Sequence, residues 1–216
     1  MNKNEKFVIT INRELGSGGR TVGRKLVEKL GVAFYDKALI KALQEKFNLT
    51  VEEIERLKGQ KKSWWDDVKR VWQIGPGANS NFFLPQKGSG VDLLDTKEIF
   101  EAETLILQDI AFHESCVVAG RTGFMVFRQW PNHLSIFIQA SMEHRIQRIM
   151  NRQNVGEQEA RDIIAKVDAS RETYIKKYED TSRYDTRNYQ LVISMDDLSE
   201  DDAVEVIMDY IDRTSK

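Results

Sequence analysis

The run FVITINRELGSGGRTVGRKLVEKLG, residues 7–31, limits the folds open to this chain more than any other stretch. Residues 7–12 are apolar and β-branched enough to form a buried strand. Glycines follow at 16, 18 and 19, and Val22, Leu26, Val27 and Leu30 then share one helical face that Gly31 closes. A strand that turns through glycines directly into a helix is the opening unit of a parallel α/β sheet. Without Cβ atoms the turn lets a ligand approach the backbone closely. Its successive N–H groups, backed by a helix N-terminus, form a concavity suited to phosphate. The placement between strand and helix, rather than the glycine count, sets this reading above a plain strand-to-helix turn.

The rest of the chain repeats the alternation, so an α/β protein is expected. A short strand at 32–35 leads to a helix near 37–47, and Thr50 with Glu53 reads as a capping box. Later come a helix at about 97–113, strands at 116–119 and 134–139, and a helix from Ser141 to about 152. A long helix at about 157–177, a strand at 191–194 and a final helix capped by Ser199 complete the pattern. Residues 59–95 break the rhythm with Trp64, Trp65, Trp72 and the turn-rich runs GPGANSN and PQKGSG. They read as an insertion or flap with local helix at 63–73, because so many large aromatics require burial or a partner. With 216 residues, 41% hydrophobic and 31% charged, one domain with a lid or insertion is expected.

Net charge of −2 gives no basic field for nucleic acid. No apolar run approaches a membrane span and residues 1–6 are too polar for a signal peptide, so a cytoplasmic protein is expected. The single Cys116 lies in an apolar run and reads as a buried, inert thiol; His113, His133 and His144 have no metal-ligand spacing.

The usual phosphate-loop pattern, G-x-x-x-x-G-K-[ST], is not met. Aligned without gaps, Arg13 occupies the first glycine's place, Gly19 the lysine's and Arg20 the next, with Thr21 one place later. The backbone half of a phosphate site is present, and its cation must come from elsewhere.

At this level the sequence resembles the cytidylate kinase-like proteins, within the P-loop nucleoside monophosphate kinases. The likeness rests on ITINRELGSGGRTVGRKLVEKLGVAFYDKALI, CVVAGRTGFMVFR, SIFIQASMEHRIQRIM and KVDASRETYIKKY, over roughly residues 5–55 and 97–213. The resemblance implies a three-layer P-loop fold with a five-stranded parallel sheet, a nucleotide-acceptor region and a lid at about 150–185. It implies transfer of the ATP γ-phosphate to CMP or dCMP with Mg²⁺, nucleotides being the partners. By position, Gly16, Ser17, Gly18, Gly19, Arg20 and Thr21 would cradle the donor phosphates, and Arg121 would grip the acceptor phosphate. Asp36 falls in the acceptor region with Lys37 and Lys41, while Asp168 and Arg171 match an Asp-x-x-Arg pair that contacts the acceptor. Arg145 and Arg148 fall where the lid helix carries arginines. Besides Gly19, Thr122 and Gln139 replace acidic residues common in true cytidylate kinases, which leaves the acceptor open.

Read without the family, Arg145, Arg148 and Arg152 share one helix face, as polyphosphate binding or a solvated salt-bridged face would both require. Asp168 and Arg171, three apart, suit either substrate binding or pairing with each other. Arg13 is the first choice to replace the lysine because it leaves the strand at the loop mouth; Arg20 is the second. Three functions remain open at this stage: a nucleotide kinase, a non-catalytic nucleotide-binding module, and an interaction protein that uses the tryptophan-rich insertion.

Overall fold

In β1, Val8–Arg13, the first five residues are buried, the pattern of a strand covered on both faces. The computed structural model describes residues 1–36, 96–120 and 122–215. After β1 come α1 (Gly19–Leu30), β2 (Ala33–Asp36), α2 (Thr96–His113), β3 (Cys116–Ala119) and α3 (Gly123–Val126). Then follow β4 (His133–Gln139), α4 (Met142–Gln153), α5 (Glu157–Tyr178), a 3₁₀ turn (Thr186–Asn188), β5 (Leu191–Ser194) and α6 (Glu200–Thr214). Among the described residues, five strands form one sheet in the order β2-β3-β1-β4-β5. β1 runs parallel to β3 and β4, and β4 runs parallel to β5, with Arg13 in register with Ile138. The expected α/β fold with a five-stranded parallel sheet is therefore present.

Met1–Tyr35 and Ala111–Lys216 make one compact unit, and Asp36–Ile110 make a second. In the first unit, Ile9, Ile11, Ile136, Ile138 and Ile193 form a sheet face covered by Val22 and Leu26 of α1 and by Val204, Ile207 and Ile211 of α6. On the opposite face, Thr10 closely approaches Gly123 at the start of α3, where a Cβ would lie 2.9 Å from the threonine methyl. Phe137 and Tyr189 stack there with ring centroids 5.1 Å apart. A separate apolar cluster, Ile146, Ile149, Ala160 and Ile164, joins α4 to α5. In the second unit, Ile106 and Ile110 of α2 are fully buried.

Element ends follow the caps legible in the sequence. Gly31 ends α1 at φ 66°, and the Ser141 hydroxyl accepts from the His144 N–H. Ser199 and Asp202 form a capping box at α6. The short α3 and the 3₁₀ turn were not expected, since four- and three-residue helices carry too little periodicity to register. The readings at 37–47, at Thr50 and Glu53, at Lys37 and Lys41, across the 59–95 insertion and at Arg121 lie outside the described residues.

Candidate phosphate-binding site

The glycine-rich loop leaves the carboxyl end of the central strand, where open α/β sheets bind ligands. Gly16 and Gly18 adopt φ of 86° and 85°. Space reinforces the choice at Gly16, where a Cβ would lie 2.8 Å from the Arg145 carbonyl oxygen. The buried Ser17 hydroxyl reaches the carbonyls of Glu14 at 3.0 Å and Ile138 at 3.1 Å, holding the loop to β4. Several N–H groups point inward: Glu14 donates to Ile138 O, Leu15 to Asp168 Oδ1 and Ser17 to Glu14 O. The N–H groups of Gly16, Gly18 and Gly19 have no acceptor among the described residues. No side chain caps α1, so the Gly19 N–H and the positive end of the helix dipole are left to this loop, while the Thr21 N–H donates to the Gly18 carbonyl at 2.8 Å.

Gly19, in the lysine's place, has a steric cause. A Cβ there would lie 2.9 Å from Arg13 Cβ, 3.3 Å from Arg13 Cγ and 3.3 Å from Ile138 Cβ. The usual pattern puts no side chain at the first position and a long one at the seventh. Here the volumes are exchanged: the stem of Arg13 fills the space and Gly19 makes room.

The arginines of α4 lie against this loop. Arg145 is buried; its Nε donates to Leu15 O at 2.8 Å, and its two terminal nitrogens pair with Glu14 (3.2 Å) and Asp168. Arg148 donates to Thr21 Oγ1 at 3.3 Å and pairs with Glu200 at 2.6 Å. Its guanidinium carbon lies 3.6 Å from where a Cβ on Gly18 would sit. Its Nε is buried with no acceptor among the described residues. Burial pushes the Glu200 carboxyl up, but hydrogen bonds from Arg148 and from its own backbone N–H, with the charges of Arg148 and Lys25, outweigh it and hold the group below its ordinary value. Arg152, the third member of the row, is exposed.

Asp168 and Arg171 do pair, Oδ1 to NH1 at 3.2 Å, within a larger cluster. Asp168 also accepts from Leu15 N–H, Arg145 and Arg183, while Arg171 and Arg183 both donate to the Arg13 carbonyl. Thus Arg13, Gly16, Ser17, Gly18, Gly19, Thr21, Arg145, Arg148, Asp168 and Arg171 are brought together. Arg20 occupies the second position of α1, and Asp36 ends β2, buried. Sequence reasoning missed Glu14, Arg183 and Glu200. Arg183 sits in an irregular segment with no periodicity or motif to mark it, and Glu200 reads only as a first-turn acid of α6.

Residues 8–197 match the sequence profile of the cytidylate kinase-like family. Among solved structures, the chain is similar to an uncharacterized protein from Eubacterium ventriosum, with TM-score 0.67 and 23% identity over 95% of this chain and 98% of that one. It is also similar to a shikimate kinase from Bacteroides thetaiotaomicron, with TM-score 0.50 and 15% identity over 95% and 98%. At these identities the likeness concerns the fold alone. No curated protein matches the sequence.

Proposed function

The chain belongs to the cytidylate kinase-like family, and from that premise we propose that it is a phosphotransferase that moves the γ-phosphate of ATP to a nucleoside monophosphate, with CMP or dCMP as acceptor. The exchanged volumes of Arg13 and Gly19 carry the proposal: the position that lacks a lysine is accompanied by a cation whose stem occupies the same space.

The loop's donors fit a polyphosphate. Three glycine N–H groups without acceptors among the described residues face the problem of any helix N-terminus, and an anion resolves it. The orphaned Nε of Arg148 beside Gly18 and Thr21 adds a charged donor. Phosphoryl transfer consists mostly of positioning and neutralising spread-out charge, which these groups are equipped to do. ATP, when bound, supplies the transferable phosphoryl group. Mg²⁺, bound together with the nucleotide, would add neutralisation of the phosphate charge. Among the described residues no cluster of three acidic, histidine or cysteine ligands exists.

In this proposal Arg13 replaces the lysine at the β and γ oxygens, with Arg20 as second candidate, and Arg148 neutralises charge from the α4 side. Arg145 is a positioning residue, because its donors are already held by Leu15 O, Glu14 and Asp168. The resemblance carries acceptor roles to Asp36 and Arg121. It also carries them to Asp168 and Arg171, but Asp168 accepts four donors, about the capacity of one carboxylate, which favours a loop-holding role. Among the described residues no helix is long and apolar enough to cross a membrane.

The test is incubation with ATP, Mg²⁺ and a panel of nucleoside monophosphates, repeated with Arg13→Ala. Transfer to CMP or dCMP, and a loss of roughly 100- to 1000-fold in kcat/KM in the variant, are expected. Near wild-type turnover in both Arg13→Ala and Arg20→Ala would remove the lysine-replacement role. If ATP raises the melting temperature of the wild type but no acceptor is phosphorylated, the protein is a nucleotide-binding module.

A further inference from the structure

We infer that Arg183 is a positioning residue that sets the phosphate loop in its anion-accepting shape, acting through Asp168 and the backbone of residues 13–15. Its side chain is fully buried. One terminal nitrogen donates to Asp168 Oδ1 at 3.2 Å and the other to the Arg13 carbonyl. Asp168 in turn accepts the Leu15 N–H at 3.1 Å, and Arg145, also paired with Asp168, donates to the Leu15 carbonyl at 2.8 Å. The Arg13 carbonyl and the Leu15 N–H and carbonyl, on the strand side of the loop, are therefore held by one ionic cluster. The N–H groups of Gly16, Gly18 and Gly19, just beyond, are left without acceptors among the described residues.

The segment around Arg183 is fixed independently of Asp168. The Arg183 N–H donates to Glu172 at 3.1 Å, and its carbonyl accepts the Tyr189 hydroxyl at 2.7 Å. That hydroxyl accepts from Asn12 Nδ2 at 2.7 Å, next to Arg13 in β1. The guanidinium also lies 5.1 Å from the Tyr184 ring centroid and 5.8 Å from that of Phe137. A planar fork can bridge a carboxylate and a carbonyl at once beside these rings; a lysine ammonium, as a single point charge, cannot hold both in this way. The loop's geometry thus depends on a residue some 170 positions away in sequence, and a displacement of about 1 Å at a site of this kind can cost on the order of 100-fold in rate.

Its consequence for ligand rests on the phosphate-loop reading above; its effect on the free loop does not. The test compares wild type with Arg183→Lys, which keeps the charge and loses the fork. Backbone hydrogen exchange is measured on peptides covering residues 13–19, with β5 and α6 as internal controls, and affinity is measured for inorganic tripolyphosphate. Faster exchange confined to 13–19, with binding weakened about tenfold or more, is expected. An arginine that served only overall stability would speed exchange throughout the unit and leave the folded protein's affinity intact. Unchanged exchange at 13–19 overturns the inference, as does faster exchange with affinity within about twofold of wild type. If the wild type binds neither tripolyphosphate nor ATP, the phosphate-loop reading fails and the exchange result alone decides the role of Arg183. Should Arg183→Lys not fold, Tyr189→Phe, which frees the Arg183 carbonyl, is judged by the same criteria.

Discussion

Gly19→Ala probes the exchange of volumes at the loop most directly. The new methyl would sit 2.9 Å from Arg13 Cβ and 3.3 Å from Ile138 Cβ, whereas carbon atoms prefer about 3.5–4.0 Å. The backbone raises no objection, since Gly19 is not among the positive-φ glycines. Helix propensity favours alanine by up to about 1 kcal/mol, while overpacking costs roughly 1–3 kcal/mol. A net loss of about 1–2 kcal/mol is expected, or roughly 2–8 °C in Tm for a chain of this size. Arg13→Ala keeps the offending Cβ, so the relieving partner is Arg13→Gly. Urea and thermal unfolding of wild type, Arg13→Gly, Gly19→Ala and the double variant form a cycle. A coupling of about 1–2 kcal/mol is expected, with Gly19→Ala harmless or stabilising when residue 13 is glycine. Additive effects, or Gly19→Ala as stable as wild type in the Arg13 background, would refute the steric link between the two positions. The variant Arg13→Gly/Gly19→Lys, which rebuilds the usual pattern, should then be better folded than Gly19→Lys alone.

Gly16→Ala meets both a φ of 86° and a contact of 2.8 Å with the Arg145 carbonyl, so a cost above about 2 kcal/mol and weaker ATP binding by calorimetry are expected. Asp168→Asn leaves Arg145, Arg171 and Arg183 without their shared carboxylate and should cost about 3–5 kcal/mol in urea unfolding. A smaller cost, below about 1 kcal/mol, would mean that the remaining acceptors, Glu14 on Arg145 among them, suffice for these arginines. Burial lowers the His133 imidazole to about 4, with Thr10 Oγ1 2.8 Å from its Nε2. The folded state resists protonation, so this contribution is full above about pH 6.5 and is lost as pH falls toward 4, by at most about 3 kcal/mol. His133→Gln should therefore lose less stability than wild type between about pH 7 and pH 4.5; equal losses would contradict the assignment.

Much of the architecture was legible in the chain itself. Alternating apolar runs and helical faces placed β1, α1, β3, β4, α4, α5, β5 and α6 within a residue or two, because their periodicity and caps are local properties. The glycine spacing marked the loop for the same reason: a positive φ at Gly16 and Gly18 is a demand of the backbone that sequence records directly. What happens to each side chain was not recorded in that way. Asp168 and Arg171, three apart, were equally consistent with pairing and with ligand binding, and the structure shows pairing inside a cluster that includes Arg145 and Arg183. The reason for a glycine in the lysine's place lay in the Cβ of Arg13, six residues earlier and on the adjoining strand end. Propensity, periodicity and capping act over a few residues and survive in a one-dimensional reading. Charge pairing and steric exclusion depend on distance in space, so only the folded chain decides which arginine meets which carboxylate and where a side chain has no room.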